Sequence, residues 1–238
     1  MPEFNFYLTQ FFNLNCCPYY NLQQTITMIT QHEKTNSSKA GTYNQLEQQR
    51  QNEYTPRYVI LVNDMLDDFV HGKLRSERVK DIIPHIRLLL NIAKQRKIPI
   101  FYCNDEHFQI DPELRLWGEH AMKGTKGAKV IKELEPSVGD YIIPKRAYGS
   151  FDGTNLERLL KSAYDGNGAD TLIITGVHTH ICIAHTAYGA FIRGYNTIIV
   201  KDGVNAFTEK DHLEGLDYIH NNYGASIKKV SDIIKDLQ

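Results

Sequence analysis

The sequence has few cysteines, no excess of charge of either sign and no long hydrophobic run. Cys16, Cys17, Cys103 and Cys182 form no C-x-x-C pair and no regular framework, which argues against a disulfide scaffold and fits a reducing cytoplasm. Lys and Arg number 27 against 28 Asp and Glu, so the overall charge indicates neither nucleic acid nor an anionic membrane as a partner. We therefore expect a cytoplasmic protein, and small-molecule chemistry stays open.

The N-terminal segment lacks both a basic signal region and an apolar stretch of membrane-spanning length. Glu3 and several Asn, Gln and Pro residues interrupt its start, so we predict neither a signal peptide nor a membrane span. Residues 1–56 are rich in Gln, Asn, Thr and Ser without regular periodicity, and we predict a disordered extension before one folded domain at 57–238. Met28 lies in this extension and is a hypothetical alternative start, which N-terminal mass spectrometry of the native protein would test.

Strand and helix patterns alternate from Arg57 onward. The apolar run Tyr58–Val62 is typical of a strand buried on both faces, and Ser76 can cap a helix that is apolar on one face. The apolar positions of that helix are Val79, Ile82, Ile83, Ile86, Leu89, Leu90 and Ala93. Further predicted strands are Ile98–Tyr102, Asp140–Ile143, Thr171–Thr175 and Asn196–Val200, and further predicted helices lie near 127–135, 154–164, 181–192 and 211–222. The alternation predicts an α/β fold with a parallel sheet of about six strands and helices on both faces.

Asp64, Lys145 and Cys182 each follow the carboxyl end of a predicted strand. Because open parallel sheets bind ligands beyond these ends, we expect the three side chains to lie at one rim. Cys182 lies where a helix begins, and unpaired N–H groups and the helix dipole there favour a nucleophilic thiolate. Asp64 could accept the thiol proton, and Lys145 could keep Asp64 ionised and lower the thiol pKa. The alternatives are a buried hydrophobic cysteine, a turn or cap carboxylate and a surface lysine.

The combination of strand-Asp, strand-Lys and strand-Gly-Val-x-Thr-x-x-Cys-helix resembles the isochorismatase-like cysteine hydrolases, most closely their nicotinamidase branch. The resemblance covers roughly residues 57–227 and extends to the runs 117–128, 193–195 and 201–203. It implies the three-layer Rossmann-like fold of that family and a homo-oligomer. It also implies that Asp64 is the general base, Lys145 its charge partner and Cys182 the nucleophile.

The same resemblance assigns further residues around the nucleophile. The oxyanion hole would consist of the backbone N–H groups of His178 and Cys182, with a cis peptide bond between Val177 and His178. Two such donors can stabilise a transition state strongly, since one is worth roughly 3–4 kcal/mol. The substrate ring would lie between Phe69 and Trp117, with Tyr148 a further contact, and the alternative for all three is ordinary core packing.

The runs Asp-x-His and Trp-x-x-His resemble the nicotinamidase metal motif and map ligands onto Asp105, His107 and His120. One carboxylate and two imidazoles suit a divalent metal, Zn or alternatively Mn or Fe(II), that would orient the substrate. Some family members have a further histidine after Asp-x-His, and none occurs here between His107 and His120. We therefore expect waters to complete the coordination. Without the resemblance, surface histidines would be the default.

A rival cluster consists of His178, His180, Cys182 and His185. Its imidazoles need not converge, and a metal there would block the nucleophile, so we do not expect a second metal site.

The sequence as a whole indicates a hydrolase that cleaves a small carboxamide through a thioester, with nicotinamide as the favoured substrate and nicotinate and ammonia as products. The alternatives are an N-carbamoylsarcosine or ureido-type amidase of the same superfamily, and a catalytically inactive binding or scaffold homologue. Leu66 stands where many nicotinamidases have Gln, which leaves the identity of the amide open. We expect a small-molecule amide as partner, with neither nucleic acid nor membrane.

Overall fold

The structure, a computed structural model, describes residues 55–237. Met28 and the predicted extension at 1–56 lie outside the described residues, except for Thr55 and Pro56. The helices and strands run in the order β1 (Tyr58–Asn63), α1 (Asp67–Val70), α2 (Glu77–Gln95), β2 (Ile100–Asp105), α3 (Leu114–Trp117), β3 (Tyr141–Lys145), α4 (Leu156–Ser162), β4 (Thr171–Val177), α5 (Ala184–Phe191), β5 (Asn196–Asn205), α6 (Glu209–Tyr223), β6 (Ser226–Lys228) and α7 (Val230–Asp236).

The six strands form one sheet in the order β3-β2-β1-β4-β5-β6, and every pair of neighbours is parallel. This confirms the predicted parallel α/β sheet. The chain leaves β1 toward β2 on one side and reaches β4 on the other, so the order reverses between β1 and β4. A reversal of this kind opens a crevice at the carboxyl ends of the two strands.

The sheet is buried on both faces, which explains the continuous apolar runs of its central strands. In β1, Ile60 and Val62 pack into a core that α2 and α7 cover, whereas Val59 and Leu61 pack into a second core with α4, α5 and α6. The helix α2 buries the predicted stripe except for Ile83, which is half-buried. Ser76 is at the N-cap of α2, but its side chain makes no capping hydrogen bond.

The prediction of a helix near 127–135 is wrong. Only two short 3₁₀ turns form there, Lys126–Ala128 and Lys132–Leu134. Between them the backbone pairs with the segment after β1: Ile131 N donates to Met65 O at 3.0 Å, and Val130 bridges Leu66. These tertiary hydrogen bonds use the backbone groups that a helix would need, so they override the helical pattern of side chains.

The chain after α6 contains two elements that the sequence patterns did not indicate, the three-residue edge strand β6 and the helix α7. Within residues 55–237, no helix combines the length and the apolar character that crossing a membrane requires.

Candidate active site

The site lies at the crevice where the strand order reverses. Asp64 directly follows β1, Lys145 is the last residue of β3, and Cys182 lies in a single π-helical turn, Thr179–Ile183, between β4 and α5. Asp64 has a left-handed backbone, with φ of 54°, which turns the chain away from the strand. The structure therefore brings the three residues that the sequence predicted to one rim.

A close approach of backbones narrows this rim. Gly176, with φ of 108°, lies so near β1 that a Cβ atom would be 1.9 Å from Asn63 O. A residue with a side chain would push β4 away from β1, so the spacing of the strands that carry Asp64 and Cys182 depends on this glycine.

Lys145 is the centre of the cluster. Its Nζ is 2.9 Å from Asp64 Oδ2, donates to Asp105 Oδ1, and is 3.7 Å from Cys182 Sγ. All four side chains are buried. Asp105 N also donates to Asp64 Oδ1 at 2.7 Å, which fixes the direction of that carboxylate. The two carboxylates and the thiol thus surround one ammonium group.

The charges in this cluster set its protonation state. Burial opposes the charge of Lys145, but Asp105 and Asp64 outweigh burial and raise the pKa of Lys145 well above its ordinary value. Burial and the neighbouring Asp105 raise the pKa of Asp64 to about 6. Burial also opposes ionisation of Asp105, but Lys145 and His107 lower the pKa of that carboxyl below its ordinary value. At neutral pH the lysine is charged and both carboxylates are ionised.

The thiol of Cys182 differs from the sequence expectation. Burial, with the charges of Asp64 and Asp105, raises the pKa of Cys182 well above its ordinary value, although Lys145 acts in the opposite direction. The expected net lowering of the thiol pKa is therefore wrong. The Cys182 side chain is only 5% exposed, and burial with two neighbouring carboxylates disfavours the thiolate more than the ammonium of Lys145 favours it. The peptide bond between Val177 and His178 is cis, as the resemblance implied.

The three predicted metal ligands lie together, and a fourth donor joins them. One donor atom each of Asp105, His107, Glu113 and His120 lies within 4.8 Å of the others. Nε2 of His107 is 3.6 Å from Asp105 Oδ2 and 3.7 Å from Glu113 Oε1, and it is buried without a hydrogen-bond partner among the described residues. Glu113 thus offers a carboxylate at the place where the sequence analysis expected only waters to complete the coordination.

Outer partners orient both imidazoles toward the donor set. Nδ1 of His107 lies 3.0 Å from Asp111 Oδ2, and Nδ1 of His120 lies 2.8 Å from Gly118 O. Since a carboxylate and a carbonyl both accept, Nδ1 carries the proton in the neutral form of each ring, and this form leaves the electron pair of Nε2 for the donor set. This donor set fits a divalent transition metal such as zinc.

Asp68 holds the loop that carries His120. Its Oδ2 accepts a hydrogen bond from Ala121 N at 2.8 Å, directly after the histidine. Neither Glu113 nor Asp68 was predicted from the sequence. The only signal for Glu113 was its place between His107 and His120, which it shares with Asp111 and Glu119.

A narrow cavity adjoins both the thiol and the donor set. The predicted ring contacts Phe69, Trp117 and Tyr148 all line it, and Trp117 Nε1 donates to Tyr148 Oη at 2.9 Å. Phe207, which the sequence analysis missed, stacks on Trp117 with centroids 5.8 Å apart. Phe69, Trp117, Tyr148 and Phe207 therefore present four aromatic rings to the cavity, and such rings favour a small planar ligand.

The rival histidine cluster does not converge. His185 is exposed and its Nδ1 contacts Ile181 O, while His180 and His185 line a different cavity from that of Cys182. Within residues 55–237, the other group with metal-binding side chains is Asp64, Asp105 and Cys182, and there the ammonium of Lys145 already supplies the positive charge.

Comparison with known proteins gives related sequences and structures. Enterobactin synthase component B of Escherichia coli (strain K12) is 32% identical over 174 residues, which are 71% of this chain and 59% of that protein, so the chain spans little more than half of that relative. The crystal structure of N-carbamoylsarcosine amidase from Thermoplasma acidophilum is 37% identical and has a TM-score of 0.68, over 73% of this chain and 96% of that chain.

A further solved structure, pyrazinamidase of Pyrococcus horikoshii in complex with zinc, is 26% identical and has a TM-score of 0.66, over 73% of this chain and 99% of that chain. These neighbours include different hydrolases, so they do not single out one substrate. The family described as the isochorismatase domain matches residues 58–230, which contain the whole described site. The chain belongs to the isochorismatase family.

Proposed function

We propose that the protein hydrolyses a small, uncharged carboxamide through a thioester on Cys182. The observation that carries this proposal is the placement of Lys145 Nζ, 2.9 Å from Asp64 Oδ2 and 3.7 Å from Cys182 Sγ, at the end of a cavity lined by aromatic rings. A buried thiol needs a base to take its proton, and a buried carboxylate can be that base only if a nearby cation keeps it ionised. Here Asp64 is the base and Lys145 the cation.

In the first half of the reaction, Cys182 Sγ attacks the carbonyl carbon while its proton passes to Asp64. Because burial raises the pKa of the Cys182 thiol well above its ordinary value, the proton transfer accompanies the attack. The backbone N–H groups of His178 and Cys182 would stabilise the oxyanion. When the tetrahedral intermediate collapses, the C–N bond breaks, Asp64 returns the proton to the nitrogen, and ammonia leaves.

In the second half, Asp64 takes a proton from a water molecule that attacks the thioester. The C–S bond then breaks, the thiolate is reprotonated, and the carboxylic acid leaves. Lys145 stays charged throughout, because two carboxylates hold its proton. Asp105, His107, Glu113 and His120 would hold the metal, which when bound supplies a Lewis acid for a ring nitrogen and so orients the amide.

The charges around the cavity support an uncharged substrate. Its described lining residues include Asp105 and Glu113 but neither lysine nor arginine, and the nearby Lys145 is already paired with two carboxylates. A substrate carboxylate would find no lysine or arginine among these residues, and the charge of a metal in the donor set would already be balanced by the carboxylates of Asp105 and Glu113. A planar ring amide fits better, and nicotinamide, with a ring nitrogen for the metal donor set, is the substrate we favour.

The second candidate is an N-carbamoylsarcosine-type amidase. The 37% identity to the Thermoplasma acidophilum enzyme favours it, since this exceeds the 26% identity to the pyrazinamidase. That substrate is anionic, so the two candidates differ in a property that can be measured.

The test is ammonia release from nicotinamide, pyrazinamide, N-carbamoylsarcosine and a ureidoacrylate, with Cys182→Ala as the control. We expect turnover of the two ring amides and its loss in Cys182→Ala. Preferred turnover of N-carbamoylsarcosine would support the second candidate. Absence of ammonia from every amide, or near-wild-type activity of Cys182→Ala, would overturn the proposed function and leave a binding or scaffold protein.

A further inference from the structure

The imidazole ring of His178 is part of the cavity wall. Its backbone belongs to the turn before the nucleophile, but its side chain lies among the rings that line the cavity. It stacks on Phe207 with centroids 3.8 Å apart and meets the edge of Phe69 at 5.8 Å. His178 is 3% exposed, so the position of this ring is fixed by packing.

Both ring nitrogens of His178 are buried and have no hydrogen-bond partner among residues 55–237. A buried polar atom without a partner is unfavourable by about 1–3 kcal/mol, and native proteins rarely leave both nitrogens of a histidine in that state. Valine or phenylalanine would fill the same space without this cost. The geometry therefore indicates that a ligand in the cavity hydrogen-bonds the ring.

His178 does not belong to the metal donor set. Its ring and that of His120, a metal donor, both contact the ring of Phe69, with centroids 5.8 Å and 5.7 Å from it. Nδ1 of His120 is bonded to Gly118 O, whereas neither ring nitrogen of His178 has a hydrogen-bond partner within residues 55–237. The cavity thus offers a second polar contact in addition to the metal donors.

The ring is also uncharged. Burial, together with nearby His180, lowers the pKa of His178 to about 3, so at neutral pH it has one N–H donor and one acceptor and no charge. A neutral imidazole can pair with a ring nitrogen, a hydroxyl or an amide. It cannot neutralise a carboxylate.

We propose that the side chain of His178 determines substrate specificity by hydrogen-bonding a polar ring atom of the bound amide other than the ring nitrogen that the metal would hold. It selects uncharged amides with such a second polar atom over amides of the same size without one. This inference rests on the proposed function and names the substrate class of that site.

The kinetic test compares His178→Phe and His178→Asn on benzamide, nicotinamide and pyrazinamide. Phenylalanine keeps a ring against Phe207 without nitrogens, and asparagine keeps a donor and an acceptor. The preference for nicotinamide over benzamide, which the metal donors determine, should change little in either variant. We expect His178→Phe to lower the preference for pyrazinamide, which has a second ring nitrogen, over nicotinamide by about tenfold, mainly through KM, which is the size of one lost hydrogen bond. His178→Asn should retain most of this preference for pyrazinamide.

A merely structural role would reduce turnover of all three amides equally, and an unchanged preference for pyrazinamide over nicotinamide in His178→Phe would overturn the inference while the proposed function stands. His180→Phe, a substitution of the histidine two residues on that lines the other cavity, should leave the preference unchanged. If wild-type protein hydrolyses none of the amides, the proposed function fails, and this inference fails with it.

A spectroscopic measurement keeps the test independent of turnover. Cys182→Ala protein with ¹⁵N-labelled histidine is titrated with pyrazinamide, and the ring signals of His178 are identified by their loss in the Cys182→Ala, His178→Asn double variant. A saturable shift of a His178 ring nitrogen supports the contact. Binding of pyrazinamide without such a shift would contradict it.

Discussion

The ammonium of Lys145 lies 2.9 Å from Oδ2 of Asp64, and both side chains are buried at the carboxyl end of the sheet. The lysine comes from β3 and the aspartate from the end of β1, two strands apart in the sheet. This pair makes a carboxylate available as a base in a place where burial alone would keep it protonated.

Replacing Lys145 by Met should abolish turnover and destabilise the protein. Asp64 and Asp105 would be left as buried carboxylates without a cation, and breaking a buried pair in this way costs about 3–5 kcal/mol. Urea denaturation and ammonia release measure the two effects. Lys161→Met removes an exposed lysine that pairs with Glu157 on α4 and should change neither by much. A Lys145→Met protein as stable as wild type would show that the buried charges are compensated elsewhere.

The pH dependence of turnover should follow Asp64. Because burial and Asp105 raise its pKa to about 6, the carboxyl is protonated below that pH and can take no proton from the thiol. We therefore expect kcat/KM to rise as pH increases through about 6 and then to level off. Asp64→Asn should remove activity at every pH. A profile in which activity falls as pH rises through this region would contradict the assignment of Asp64 as the base.

Alkylation of Cys182 should show a protonated thiol. Since burial raises its pKa well above the ordinary value, the thiolate fraction near neutral pH is small, and iodoacetamide should label Cys182 more slowly than glutathione. Peptide mass spectrometry over a pH series separates Cys182 from the other cysteines. A labelling rate that reaches a plateau below about pH 8.5, the ordinary thiol value, would indicate a stabilised thiolate instead. Since slow labelling is expected for the active enzyme and for an inactive scaffold alike, only ammonia release distinguishes the two.

The sequence was sufficient to predict the parallel sheet and to locate Asp64, Lys145 and Cys182 at its rim. Both follow from local patterns: apolar runs mark the buried strands, and in a parallel sheet the residues after those runs share one edge. Strand ends were less accurate. The structure extends β5 to Asn205, beyond the predicted end at Val200, because Val204 and Asn205 resume the pairing with β4 after a shift in register.

What the sequence could not reveal depends on contacts between distant segments. Glu113 reaches the metal donors through the fold of its loop, and Phe207 reaches Trp117 from beyond β5. The direction of the Cys182 pKa shift depends on burial, one ammonium and two carboxylates. The sequence indicates which of these groups are present, but not how deeply the thiol is buried or how close the charges lie. The prediction of a helix near 127–135 failed for the same reason, because Val130 pairs with Leu66, a residue distant in the sequence.

Gly176→Ala should destabilise the protein and impair the site, because the new Cβ would lie 1.9 Å from Asn63 O. Gly139 provides a matched control: its φ of 98° is also positive, but a Cβ there meets no atom within 4 Å. Gly139→Ala should lower the free energy of unfolding only by the backbone strain, about 1–2 kcal/mol. Gly176→Ala should lower it clearly more, as measured by urea denaturation. Equal losses in the two variants would show that β4 can move away from β1 without penalty.

Glu113→Gln should weaken metal binding, because the substitution removes a charged donor while keeping the size of the side chain. Burial and the neighbouring Asp105 raise the pKa of Glu113 to about 7, the state expected of a carboxyl held close to another without a cation between them. We expect zinc affinity, measured by competition with a chromogenic chelator, to fall by about tenfold or more, since even outer partners of metal ligands have effects of that size. Glu119→Gln alters an exposed acidic residue of the same loop and serves as the control. If the two variants bind zinc equally well, Glu113 is not a ligand, and coordination depends on Asp105, His107, His120 and waters, as the sequence alone predicted.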